Sequence, residues 1–128
     1  MLINDPFLDI IQDQAKQSPR LRQNYNLHES LDEKSQKLIN VLEPGTKFQI
    51  HRHRNNIACV FVLRGCVDYI FYDELGQEKE RFHLDPKKGN YGVKVPAGTW
   101  HSMVVIESSA IIEVKDGPYT PLTEEDIL

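Results

Sequence analysis

The stretch YGVKVPAGTWHSMVVI, residues 91–106, decides the fold. Two short apolar runs, Tyr91–Val95 and Ser102–Ile106, flank Pro96-Ala97-Gly98, and proline and glycine this close together favour a tight turn. The reading is strand, turn, strand. Working outward, the same texture runs from Gln36 to Lys115, in apolar segments at Lys37–Leu42, Lys47–His53, Ile57–Leu63, Cys66–Tyr72, Glu78–Leu84 and Ala110–Lys115. Turn signals such as Glu43-Pro44-Gly45-Thr46, Arg64-Gly65 and Asp85-Pro86 separate them. Eight strands in roughly 80 residues exclude parallel βαβ units, whose crossovers each need a dozen or more residues. The expected fold is all-β, a small antiparallel jelly-roll barrel.

Ahead of the barrel, Asp5-Pro6 reads as a helix start, with Asp5 as the cap. Phe7, Leu8, Ile10, Ile11 and Ala15 follow helical spacing until Ser18-Pro19 stops the helix. Residues 20–35 are polar without a clear period and read as an irregular arm. Residues 1–35 are thus expected to pack on a barrel of residues 36–116, with 117–128 as a surface tail, in one domain overall. The acidic end, Glu124-Glu125-Asp126, reads as solvated.

Composition narrows the functional classes. A chain of 128 residues has room for one core. A net charge of -4 and a pI near 5.7, with no run of Lys or Arg, argue against a nucleic-acid surface. No apolar run approaches the ~20 residues that span a bilayer, and the N-terminus lacks a signal pattern. A cytoplasmic protein with no membrane partner is expected. Pairing across a turn at Arg64-Gly65 would set Leu63 opposite Cys66, too far from Cys59 for a bridge, so both cysteines read as reduced thiols.

The chemistry concentrates in His51-Arg52-His53. Strand alternation turns both histidines to one face, with Cα atoms roughly 6.5–7 Å apart, and Arg52 to the other. His101, after the Pro96-Ala97-Gly98 turn, can fold back to complete a site for one divalent transition metal, Zn, Fe, Ni or Mn. Weaker candidates surround this set. Tyr69 and His83 are candidate proton carriers, Trp100 a pocket aromatic, and His28 a remote ligand arriving on the arm. Arg52, Arg54 and Arg64 read as a local basic group suited to an anionic substrate.

These residues resemble the cupin family. Its first motif is met by Gly45, His51, His53 and Gly65, with Ala58 where the family carries a glutamate; its second is complete as Pro96, Gly98 and His101. Ser18-Pro19-Arg20, Asn26-Leu27-His28, Val62-Leu63-Arg64-Gly65 and Glu113-Val114-Lys115-Asp116-Gly117-Pro118-Tyr119 extend the likeness to the WbuC-type cupin-fold metalloproteins, which often accompany surface-polysaccharide biosynthesis. The resemblance implies a metal-binding cupin acting on a sugar, nucleotide-sugar or other small polar metabolite, and a homodimer. Two alternatives stand beside it: a non-catalytic metabolite-binding or regulatory cupin, and a three-histidine non-haem iron dioxygenase.

Overall fold

The computed structural model describes all 128 residues. Helix α1, Asp5–Gln17, opens the chain. Asn4 caps it instead of Asp5: the Asn4 Oδ1 accepts the Phe7 N–H at 3.1 Å. That leaves Asp5 and Pro6 in the first turn, where free N–H groups favour an acid and tolerate a missing donor. Leu8, Ile11 and Ala15 are buried along one side. Ser18 caps the C-terminal end, because Pro19 disfavours a helical conformation in the residue before it.

Eight strands follow: β1 (Arg22–Asn26), β2 (Ser35–Leu42), β3 (Ala58–Arg64), β4 (Val67–Tyr72), β5 (Glu78–Leu84), β6 (Gly92–Val95), β7 (Trp100–Val105) and β8 (Ser109–Asp116). They form two antiparallel sheets in the orders β1-β2-β8-β3-β6 and β5-β4-β7. Alternation divides the larger sheet. Ile39, Val41 and Ala110 turn outward and pack with Leu8, Ile11 and Ala15 of α1. Leu42, Val60, Val62 and Ile111 turn inward and meet Val67, Tyr69, Met103 and Val105 of the smaller sheet. One end of the space between the sheets is therefore filled by apolar side chains.

Three expectations about the strands need correcting. Part of the arm is a strand: β1 pairs with β2 from Arg22↔Leu42 to Asn26↔Leu38. Its polar residues carry no strand pattern because the free edge of β2, and not apolar periodicity, holds them. Conversely, Lys47–His53 is not a regular strand; only His51 makes isolated bridges, to His101 and Ile127. Both edges of β2 are already taken by β1 and β8, so the chain must leave that sheet. Arg64-Gly65 is not a hairpin turn either, since β3 and β4 lie in different sheets. Gly65 makes that crossing at φ +92°, where an added Cβ would stand 2.3 Å from the Ser109 Oγ. Cys59 and Cys66 are free thiols, as expected.

Within the acidic tail Glu124 and Glu125 are exposed, as expected, but Asp126 is not. Glu124–Asp126 forms a short 3-10 turn, and the buried Asp126 accepts from Arg54 Nε at 2.7 Å and Arg52 Nε at 3.3 Å. The tail thus lies along the segment that carries His51 and His53. No helix is long and apolar enough to cross a membrane.

Candidate metal centre

Two backbone attachments aim the histidines. The His51 N–H donates to the His101 carbonyl at 3.1 Å and the His101 N–H to the His51 carbonyl at 2.9 Å, which sets these residues opposite each other. The His53 carbonyl accepts the Gly98 N–H at 2.8 Å, tying it to the turn before β7. The ring centroids of His51 lie 4.2 Å from His101 and 5.2 Å from His53. One nitrogen from each of the three histidines falls within 4.8 Å of the others.

The ring nitrogens are also sorted. Nδ1 of His51 lies 2.9 Å from the Gln49 carbonyl, and Nδ1 of His101 lies 2.8 Å from the Thr99 carbonyl. A carbonyl only accepts, so Nδ1 carries the proton and each Nε2 keeps its lone pair free. Burial, followed by the neighbouring His51, lowers the His101 pKa to about 3. Burial, with Lys115 and His51, lowers that of His53 to about 4. Both imidazoles are neutral near pH 7, the form that binds metals. Three convergent imidazoles, two of them with Nδ1 held by a backbone carbonyl, and an open side fit a divalent transition ion.

The open side is a cavity of about 380 Å³. The Tyr69 ring stacks on His101 at 14° with centroids 5.7 Å apart. Burial, and then the charge of Glu113, raises the Tyr69 pKa well above its usual value, so its phenol stays protonated. Glu113 and Lys115 alternate with Val114 along β8 and share the cavity wall with Arg20, Arg22 and Asn40. The Asn40 Oδ1 is buried without a hydrogen-bond partner.

A family described as Domain of unknown function (DUF6016) matches residues 3–84. The chain belongs to the DUF6016 family. The match includes His51 and His53 and ends before the strand carrying His101. No curated protein matches in sequence. Among solved structures, this DUF6016 chain is similar to KdgF from Halomonas sp., at TM-score 0.60 and 19% identity over 80% of this chain and 84% of that one. A cupin superfamily protein from Desulfitobacterium hafniense aligns at TM-score 0.60 and 15% identity, covering 74% and 76% of the two chains. The capsular polysaccharide assembling protein CapF from Staphylococcus aureus aligns at TM-score 0.64 and 15% identity, over 87% of this chain but 32% of that one. The DUF6016 chain has the cupin jelly-roll fold.

The structure brings together His51, His53, His101 and Tyr69, all on the cavity wall. Five other sequence candidates lie elsewhere. His83 pairs with Asp68, one residue out of phase with Tyr69, so it faces away from the cavity. There its Nδ1 lies 2.7 Å from Asp68 Oδ1 and its Nε2 3.4 Å from Cys66 Sγ. His28 is held at the β1–β2 connection, its Nδ1 against the Lys37 backbone at 2.9 Å. Arg52 lies on the other side of its segment from the histidines, with its guanidinium 4.5 Å from the Trp100 ring centre, so neither residue reaches the cavity. Ala58 is a core methyl group, buried among the inward residues of β3.

The expected basic group does not assemble, because Arg64 instead pairs with Asp5 and Asp9 of α1. The cavity's charged residues are Arg20, Arg22, Glu113 and Lys115. Glu113 and Lys115 were detectable as charges at inward parity on an otherwise apolar strand. Arg20 and Arg22 had no such signal, since their segment showed no period.

Proposed function

We propose that this cupin holds one divalent transition ion on His51, His53 and His101 and acts on a small polar metabolite, in the class of sugars and nucleotide-sugars. The convergence of three imidazoles, those of His51 and His101 with Nδ1 held by a backbone carbonyl, on one open cavity carries the reading. A bound ion would supply Lewis acidity, polarising a carbonyl or acidifying a water. The chain's own residues would do the rest. The protonated Tyr69 phenol donates a hydrogen bond, Glu113 accepts a proton, and the unpartnered Asn40 Oδ1 receives a ligand hydroxyl. A role in surface-polysaccharide metabolism is supported by the WbuC-like motifs and by the fold likeness to CapF.

Elemental analysis tests the metal. The purified chain should carry a stoichiometric ion that is lost in His51→Ala and His101→Ala; a wild-type chain that stays metal-free at saturating Zn, Fe, Mn and Ni would refute the reading. The core methyl group of Ala58 favours one second reading, a module that binds without turnover. If Ala58→Glu strengthens metal binding while ligand affinity is unchanged, that second reading is preferred.

A further inference from the structure

We infer that Arg20 and Arg22 form a receptor for an anionic group, a carboxylate or phosphate, on the ligand that enters the histidine cavity. The inference rests on the proposed function for what sits at the cavity's other end, but its own observations concern only the arginines.

The first observation is charge. Arg20, Arg22 and Lys115 line the cavity against a single acid, Glu113, in a chain whose overall charge is -4. None of these three cations belongs to an ion pair, whereas Arg52, Arg54, Arg64 and Arg81 all do. Unpaired guanidinium groups in a concave wall retain their full capacity for forked hydrogen bonds to carboxylate or phosphate.

The second observation is backbone strain between the two arginines. Leu21 is the one non-glycine residue with positive φ, at +57°, a conformation that a branched side chain disfavours. Four contacts impose it. Its N–H donates to the Ser18 carbonyl at 3.0 Å, and its own carbonyl accepts the Glu43 N–H at 2.9 Å and the Thr46 hydroxyl at 2.7 Å. Its side chain packs over Gly45, where an added Cβ would approach Leu21 Cδ1 at 3.1 Å. The kink turns the chain between Arg20 and Arg22, and both residues reach the cavity. Arg22 is further held with its guanidinium 4.7 Å from the Phe48 ring centre, which fixes the plane of the fork.

The third observation is position. A second depression, of about 460 Å³, shares Arg20, Arg22, Asn40 and Glu113 with the histidine cavity. The arginines therefore stand where the two spaces join. A ligand reaching toward the histidines passes its anionic group between them.

The test uses the full chain, ¹⁵N-labelled, at constant ionic strength, with inorganic phosphate and malonate as probes. Arginine Nε–H signals are followed in metal-free and zinc-loaded protein. Saturable shifts confined to Arg20 and Arg22 are expected with at least one probe, and the tighter probe assigns phosphoryl or carboxylate chemistry. Arg20→Gln/Arg22→Gln should weaken binding at least tenfold, Arg22→Lys should weaken it less, and Arg81→Gln, away from the cavity on β5, should leave it unchanged. Zinc content should be the same in all variants. Absence of saturable shifts in both metal states, or equal weakening by Arg81→Gln, overturns the inference. Failure of zinc to bind would refute the metal reading alone, because the metal-free titration reads only the arginines.

Discussion

Removing the Asp126 carboxylate should loosen the histidine segment from a distance. Five main-chain hydrogen bonds hold residues 50–53: His51 exchanges two with His101, Gly98 donates to His53, Arg52 donates to Asp126, and Leu128 donates to Ile50. Two of the five thus come from the tail. The Asp126 side chain clasps this arrangement, accepting from Arg54 Nε at 2.7 Å, Arg52 Nε at 3.3 Å and Thr123 Oγ1 at 3.1 Å. Asp126→Ala deletes all three contacts and leaves the two arginines that flank His53 with only their bonds to Glu125, from Arg54 to the side chain and from Arg52 to the carbonyl. The bridge to His101 remains, so His51 should stay near its place while His53 gains freedom. Loss of an outer-shell support of this kind typically weakens metal affinity by about 10–100-fold. Zinc competition against a chromophoric chelator measures it, with Glu124→Gln as the control that keeps the clasp. Zinc affinity within twofold of wild type in Asp126→Ala, with an unchanged circular dichroism spectrum, would refute the view that the tail positions the ligands.

Other substitutions and conditions probe the scaffold. Gly65→Ala places a Cβ 2.3 Å from Ser109 Oγ and 2.4 Å from the Ser108 carbonyl at φ +92°, and should cost about 2–4 kcal/mol in urea unfolding. Ile39→Ala, at a fully buried position between α1 and the larger sheet, should cost ~2–5 kcal/mol yet leave zinc stoichiometry intact. Acid should destabilise the metal-free protein through His101. Its folded pKa of about 3 lies below the ordinary 6.5, so the unfolded chain takes up the proton first. The His101 contribution is complete above pH 6.5 and falls by ~1.4 kcal/mol per pH unit below it, until the folded pKa is reached. A flatter profile for His101→Gln in chelator-treated protein checks this assignment.

Much of the barrel was legible because inward-facing strand residues are apolar and the turns carry glycine or proline. β5 occupies the expected Glu78–Leu84, and β4, β6, β7 and β8 fall within two residues of their expected bounds. The failures share a cause. β1 is specified by the vacant edge of β2, a tertiary fact that Arg22–Asn26 do not encode locally. Lys47–His53 has strand-like composition but meets the free edge of β7 only through the His51–His101 bridge. The histidine triplet was readable from His51-Arg52-His53 and the Pro96–His101 motif, since spacing and turn chemistry are local properties. The arginine pair, the tail clasp and the exclusion of His83 depend on which distant strands become neighbours.

With alanine at 58, where the cupin motif carries glutamate, β3 offers the histidines no carboxylate. A methyl group at that position packs into the core, and imidazoles that bind a metal do so in the neutral form. The acid nearest in role, Glu113, stands on β8 opposite Val60, two residues along from the Lys115–Ala58 pair. A divalent ion on the histidines would thus retain its full charge and add to that of Arg20, Arg22 and Lys115. Such a cavity favours an anion over a neutral sugar of equal size, and the preference should weaken as salt screens the arginines at the mouth. Galacturonate and galactose differ chiefly in a carboxylate replacing a hydroxymethyl group. On the zinc-loaded chain, galacturonate should bind more tightly at low salt, with the margin narrowing at 0.5 M NaCl, roughly a 4 Å screening length. Equal binding of the two sugars at low salt would refute this account of the cavity's charge.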